Sequence, residues 1–130
     1  METINKLATL KCPQEVINLS NDTKYFGRMN DPTSAAWLKG PCGDSMEFYL
    51  VIENNIITDI KYYTDGCNAT KSCGAITAYL AKNKSIEEAL KISAGEVMEK
   101  VTNLPQNHRH CSILAVSTFY RAVADYLLAK

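Results

Sequence analysis

No two of the five cysteines in this chain stand in the Cys-x-x-Cys spacing of a zinc ribbon, so any site they form must be assembled from distant segments. Five is also an odd number, which excludes a fully paired disulfide framework. Thiols kept in a reducing compartment are metal-binding, catalytic or simply buried. Net charge is missing too: fourteen basic residues balance fourteen acidic ones. No global field therefore favours nucleic acid or an anionic membrane. The longest apolar runs, such as Phe48 to Ile52, fall far short of the roughly 20 residues that span a bilayer. Met1-Glu2-Thr3-Ile4-Asn5-Lys6 lacks the basic-then-apolar pattern of a secretory signal. Repeats, low-complexity stretches and linkers are absent as well. What remains is ordinary globular composition, 46% hydrophobic and 22% charged, over 130 residues. The expectation is one soluble cytoplasmic domain over residues 1–130, without nucleic-acid or membrane partners.

Thr9 to Leu19 holds a short helical candidate after Pro13, and residues 1–24 are otherwise hard to assign. Asn21-Asp22 and Gly27 to Pro32 read as loop, and Ala36 to Lys39 as a short edge strand. Met46, Phe48, Leu50 and Ile52 alternate with Glu47, Tyr49, Val51 and Glu53, the period of a half-buried strand. Asn54-Asn55 suits the positive φ of a tight hairpin. Ile56, Thr58, Ile60 and Tyr62 then alternate with Ile57, Asp59, Lys61 and Tyr63, completing a hairpin from about Glu47 to Thr64. After Gly66 the period becomes helical, with Ala69, Cys73, Ile76 and Leu80 on one buried stripe to about Ala81. Ser85 with Glu88 is a capping box for a helix burying Ile86, Ala89 and Leu90. Ser93 with Glu96 opens another, with Val97 and Val101 inward, ended by Leu104-Pro105. Ile113, Val116, Tyr120, Val123 and Leu127 form the stripe of a long helix from Ser112 to about Ala129. Strands first and helices afterwards indicate an α+β domain with helices on one face of a small antiparallel sheet.

Three cysteines sit where the backbone presents a thiolate. Cys42 lies in Gly40-Pro41-Cys42-Gly43-Asp44, where Gly43 eases a tight turn and Asp44 can face the same pocket. A carboxylate beside a thiolate raises its pKa unless a cation intervenes, which favours a metal site over a bare nucleophile. A turn cysteine beside a solvated aspartate is the plain alternative. Cys67, after Gly66, stands at a strand-to-helix junction, where unpaired N–H groups stabilise a thiolate or an anionic cluster. A capping cysteine without chemistry is its plain alternative. Cys111 opens the last helix beside His110, and neutral imidazole is a good zinc or iron ligand. For His108 and Arg109 the residues favour solvated loop side chains. Cys73 reads as a small core hydrophobe, and Cys12 has no partner in the pattern.

Gly40-Pro41-Cys42-Gly43-Asp44-Ser45-Met46, Thr64-Asp65-Gly66-Cys67, Asn83-Lys84-Ser85 with Glu87-Glu88-Ala89, and Leu104-Pro105 leading to His110-Cys111-Ser112-Ile113-Leu114-Ala115 together resemble the NifU/IscU-type iron–sulfur cluster assembly scaffold family. The likeness runs from about Gly27 to Lys130. It implies a SufE/NifU-like fold, a three-stranded antiparallel sheet covered by helices with the three cysteines meeting at one end. By resemblance, the cluster ligands fall on Cys42, Cys67 and Cys111, with Asp44 and His110 as fourth-ligand or exchange positions and Cys73 a further candidate. The family takes sulfur from a cysteine desulfurase, collects iron, builds a [2Fe–2S] cluster and passes it to acceptor apo-proteins. Many members hold zinc in the same site. Such a scaffold catalyses no turnover of its own, and a site at the domain edge allows a homodimer to share one cluster.

The chain departs from the pattern in places. Leu104-Pro105-Gln106-Asn107-His108 stands where many members carry Leu-Pro-Pro-Val-Lys, so recognition by an Hsp70-type chaperone is not implied. His108 replaces a lysine, and Cys73 stands where many scaffolds have serine. A second reading is a zinc-dependent sulfurtransferase taking persulfide on Cys111, but that branch carries an insertion between Cys67 and Cys111 that is missing here. A structural zinc module is the third reading, disfavoured because structural zinc has compact, closed ligand sets.

Overall fold

The computed structural model describes residues 23–41, 43–101 and 108–129. The helical candidate at Thr9 to Leu19, the Asn21-Asp22 loop, Cys12, Cys42 and the Leu104-Pro105 stop lie outside them. Three strands form one antiparallel sheet in the order β1 (Ser34–Lys39), β2 (Ser45–Glu53), β3 (Ile56–Thr64). Among the described residues four helices follow: α1 (Asn68–Ala81), α2 (Ile86–Ala89), α3 (Ala94–Lys100) and α4 (His110–Ala129). The edge strand begins two residues earlier than the sequence suggests, because Ser34 pairs with Leu50 and Ala35 with Tyr49.

Alternation builds β2 as expected: Met46, Phe48, Leu50 and Ile52 are buried beneath the helices. Asn54 and Asn55 adopt φ of 54° and 63°, the left-handed pair that a two-residue hairpin requires. In β3 the simple alternation fails. Val51 pairs with Asp59 but Ile52 with Ile57, so Thr58 is an extra residue opposite the Val51/Ile52 step. Its hydroxyl donates to the Val51 carbonyl (3.3 Å). This bulge shifts the phase by one. Ile57 and Ile60 are both buried, whereas Ile56 is 40% exposed.

Helix α4 packs on β1 and β2, and α1 packs on β3 and against α4. The buried face of α1 is broader and smaller than the stripe of Ala69, Cys73, Ile76 and Leu80. It comprises Ala69, Thr70, Ser72, Cys73, Gly74, Ala75, Thr77, Ala78 and Ala81, while Ile76 and Leu80 are only half-buried. Small residues let α1 approach the sheet closely, and buried hydroxyls turn inward to helix carbonyls, as Thr77 does to Cys73 (2.7 Å). Ser85 and Glu88 form the full capping box, but Leu90 is 43% exposed rather than buried. Ser93 accepts from the Glu96 N–H, and Val97 and Val101 point inward as expected. In α4, Val116 and Val123 are buried, but Ile113 and Leu127 are 55% and 45% exposed, so the core-facing stripe is Cys111, Leu114, Ala115, Phe119 and Ala122 with them. Helix α4 is long and apolar enough to cross a membrane by length and composition, contrary to the estimate from apolar runs. Half of that window is buried inside the fold, as in a core helix.

Candidate metal centre

The turn from β1 to β2 brings the first motif to the sheet's end. The Gly40 N–H donates to the Asp44 carbonyl (2.7 Å), and the Gly43 N–H donates to the Gly40 carbonyl (3.0 Å). Gly43 sits at φ 96°, where a side chain would be strained. Beside it, the Asp65 carboxylate accepts from the Ser45 N–H and hydroxyl, both at 3.1 Å. These bonds, the backbone one foremost, hold its carboxyl below the usual aspartate range. The Gly66 N–H donates to the Thr64 hydroxyl (3.0 Å), which fixes the chain as it turns into Cys67.

Cys67 occupies the N-cap of α1 with extended backbone (φ −74°, ψ 179°), yet its side chain makes no capping bond. Its exposed sulfur instead lies 3.9 Å from His108 Nδ1 and 3.6 Å from the Thr70 hydroxyl. Cys111, second residue of α4, brings its sulfur to 3.3 Å from the same hydroxyl. The ligand atoms of Cys67, His108 and Cys111 all lie within 4.8 Å of one another. Two sulfurs on one tetrahedral zinc, at roughly 2.3 Å each, stand about 3.8 Å apart, so a small contraction would close this set on an ion. Soft thiolates with an imidazole suit zinc or an iron–sulfur cluster.

Asp44 reaches the group from the other side, its Oδ2 accepting from the Thr70 hydroxyl at 2.8 Å. The loop bearing Cys42 is therefore anchored at the site, while Cys42 itself lies outside the described residues. His110 Nε2 lies 3.8 Å from Cys111 Sγ, and its ring stacks on His108 with centroids 6.3 Å apart. It is His108, read from sequence as a solvated loop side chain, that joins the two-thiol group. The signal lay in the spacing. One helical turn already begins near His108, with the Ser112 N–H donating to the Arg109 carbonyl (3.1 Å), and positions three apart share a face.

Cys111 also differs from the reading that all three thiolates are presented. It is 1% exposed, forming the floor of the group, while Cys67 forms the open rim. Cys73 is fully buried on α1. Burial first, and the charges of Cys111 and Cys67 after it, push its thiol up, so it keeps its proton.

Residues 12–130 match the family model of the NifU-like N terminal domain. Over 113 residues the chain is 40% identical to iron-sulfur cluster assembly scaffold protein IscU 1 of Archaeoglobus fulgidus, covering 86% of this chain and 74% of that protein. Over 109 residues it is 36% identical to iron sulfur cluster assembly protein 1 of Trachipleistophora hominis, covering 84% and 78%. The crystal structure of a nitrogen-fixing NifU-like protein (N-terminal) from Brucella abortus shares the fold with a TM-score of 0.77 at 12% identity, over 95% of this chain and 99% of that one. Sequence and architecture agree along nearly the whole length, and the chain belongs to the family of NifU N-terminal domains and IscU iron–sulfur cluster assembly scaffolds.

Proposed function

We propose that this chain is an iron–sulfur cluster assembly scaffold that takes iron and sulfur as cargo at Cys42, Cys67 and Cys111 and releases a [2Fe–2S] cluster to acceptor apo-proteins. One observation carries the reading: two thiols and an imidazole gather within 4.8 Å at the end of the sheet, one thiol open and one buried. The open rim at Cys67 lets iron and sulfide enter and product leave. The floor at Cys111 shields the growing charge from water. Each thiol gives up its proton as metal binds, so loading releases protons to solvent. Asp44, a harder donor than thiolate, holds iron less firmly and favours release. Sulfur comes from a cysteine desulfurase, and zinc fills the same ligands when cargo is absent. The free thiols of Cys67 and Cys73 suit a reducing compartment such as the cytoplasm. The burial of Cys111 weighs against the sulfurtransferase reading, which needs that sulfur open to attack.

Anaerobic reconstitution with iron, sulfide and a thiol tests this directly. Charge-transfer bands in the visible that vanish in Cys42→Ser, Cys67→Ser or Cys111→Ser variants are expected. A colourless protein that retains one zinc, with desulfurase stimulation dependent on Cys111, would overturn the proposal in favour of sulfur transfer. Gel filtration before and after loading shows whether two copies share the cluster.

A further inference from the structure

Among the described residues, Thr70 is the odd threonine of the helices. Buried threonines in its helices return their proton to the carbonyl four residues back, as Thr77 does to Cys73 and Thr118 does to Leu114, both at 2.7 Å. Thr70, equally buried, instead donates across to Asp44 Oδ2 of another segment (2.8 Å). A hydroxyl has one proton and two lone pairs. With the proton committed to Asp44, the lone pairs face Cys111 Sγ at 3.3 Å and Cys67 Sγ at 3.6 Å. A β-branched side chain in a helix has few χ1 choices, which keeps this aim fixed. The seat is completed by what Gly66 lacks. A Cβ there would stand 2.7 Å from Asp44 Oδ2 and 2.9 Å from both Asp44 Cγ and Thr70 Cβ. Among the described residues, Oδ1 of Asp44 makes no hydrogen bond.

We infer that Thr70 is a positioning residue for Asp44, its buried hydroxyl holding Oδ2 in the space left by Gly66 so that the carboxylate is presented beside Cys67 and Cys111. Thr70 acts on cargo through Asp44, as outer partners orient metal-binding carboxylates. This role rests on the scaffold reading.

The test is the rate at which reconstituted protein loses its visible absorbance to an added chelator. Thr70→Val keeps the shape and deletes the hydroxyl; Thr70→Ser keeps the hydroxyl. Thr70→Val is expected to change the lifetime in the same direction as Asp44→Ala and by no more than that variant does, roughly several-fold, and Thr70→Ser to stay within about twofold of wild type. Thr70→Val combined with Asp44→Ala should equal Asp44→Ala alone, since the two act as one unit. A wild-type lifetime in Thr70→Val, or effects that multiply in the double variant, overturns the role while leaving the scaffold reading intact. An unchanged melting temperature with an altered lifetime separates positioning from stability. Absorbance that forms equally well in Cys67→Ser and Cys111→Ser sinks the scaffold reading, and this role with it.

Discussion

Cys67 Sγ and His108 Nδ1 stand 3.9 Å apart, joining the cap of α1 to the entry of α4. A histidine so placed, with Cys111 completing the group, should matter more to metal retention than its stacked neighbour. His108→Ala is expected to weaken zinc binding at least tenfold, read by competition with a chromophoric chelator, and His110→Ala by less. The reverse order would show that His110 is the working imidazole.

Asp44 offers oxygen where the other donors offer sulfur or nitrogen. Asp44→Ala should therefore leave a longer-lived cluster, by several-fold, in a chelator-challenge assay. Faster loss than wild type would mean that the carboxylate holds the cargo rather than loosening it.

Cys73 is buried on α1 and is not one of the three residues gathered at Cys67, His108 and Cys111. Cys73→Ala should leave zinc affinity within twofold while lowering stability by about 1 kcal/mol through the lost packing of one buried sulfur. An affinity loss matching that of Cys67→Ser would make Cys73 a ligand.

Gly74 meets the ring of Tyr62, where a Cβ would stand 2.6 Å from Cδ2 and 2.8 Å from Cε2. Tyr62 is fully buried and flanked by Phe26 and Phe48, with ring centroids at 5.3 and 6.2 Å, so it has no room to retreat. Gly74→Ala should cost about 1–3 kcal/mol, measured as a lower urea midpoint. An unchanged midpoint would show that α1 can lift from the sheet freely.

On the outer face of the sheet, Arg28 grips Glu47 through two hydrogen bonds of 3.0 and 3.1 Å and lies 4.0 Å over the Tyr63 ring. The Arg28 bonds first, then the Tyr49 hydroxyl, hold the Glu47 carboxyl below its ordinary value, despite partial burial that raises it. A carboxyl lowered on folding stabilises the fold fully above its unfolded value, and that contribution fades as pH falls through the folded one. Glu47→Gln should therefore flatten the acid limb of a stability-against-pH curve below the ordinary glutamate range, with a modest loss at neutral pH. An acid limb identical to wild type would remove Glu47 as its source.

Where one residue type satisfies local and global demands at once, the elements were legible in advance. The β2 alternation, the Asn54-Asn55 turn and the Ser85/Glu88 cap are of that kind. The phase of β3 was not, because Ile56 and Ile57 are both apolar and nothing in the pattern says that Thr58 is extra. Nor was the face of α1, since its buried side is made of alanines, threonines and cysteine, while larger Ile76 and Leu80 suggested another. For the candidate site, Cys67, Cys111, Asp44 and a nearby histidine could be named from motifs. Which histidine, and which thiol is hidden, could not.

The sequence by itself determined the inventory of donors and the turns that carry them, because glycine, asparagine and capping residues act on the backbone within a few positions. Tertiary packing alone decided that Thr70, Asp44, Cys67 and Cys111 share one hydroxyl. Those four atoms come from three segments, and only the docking of α1 and α4 on the sheet brings the segments within hydrogen-bond reach.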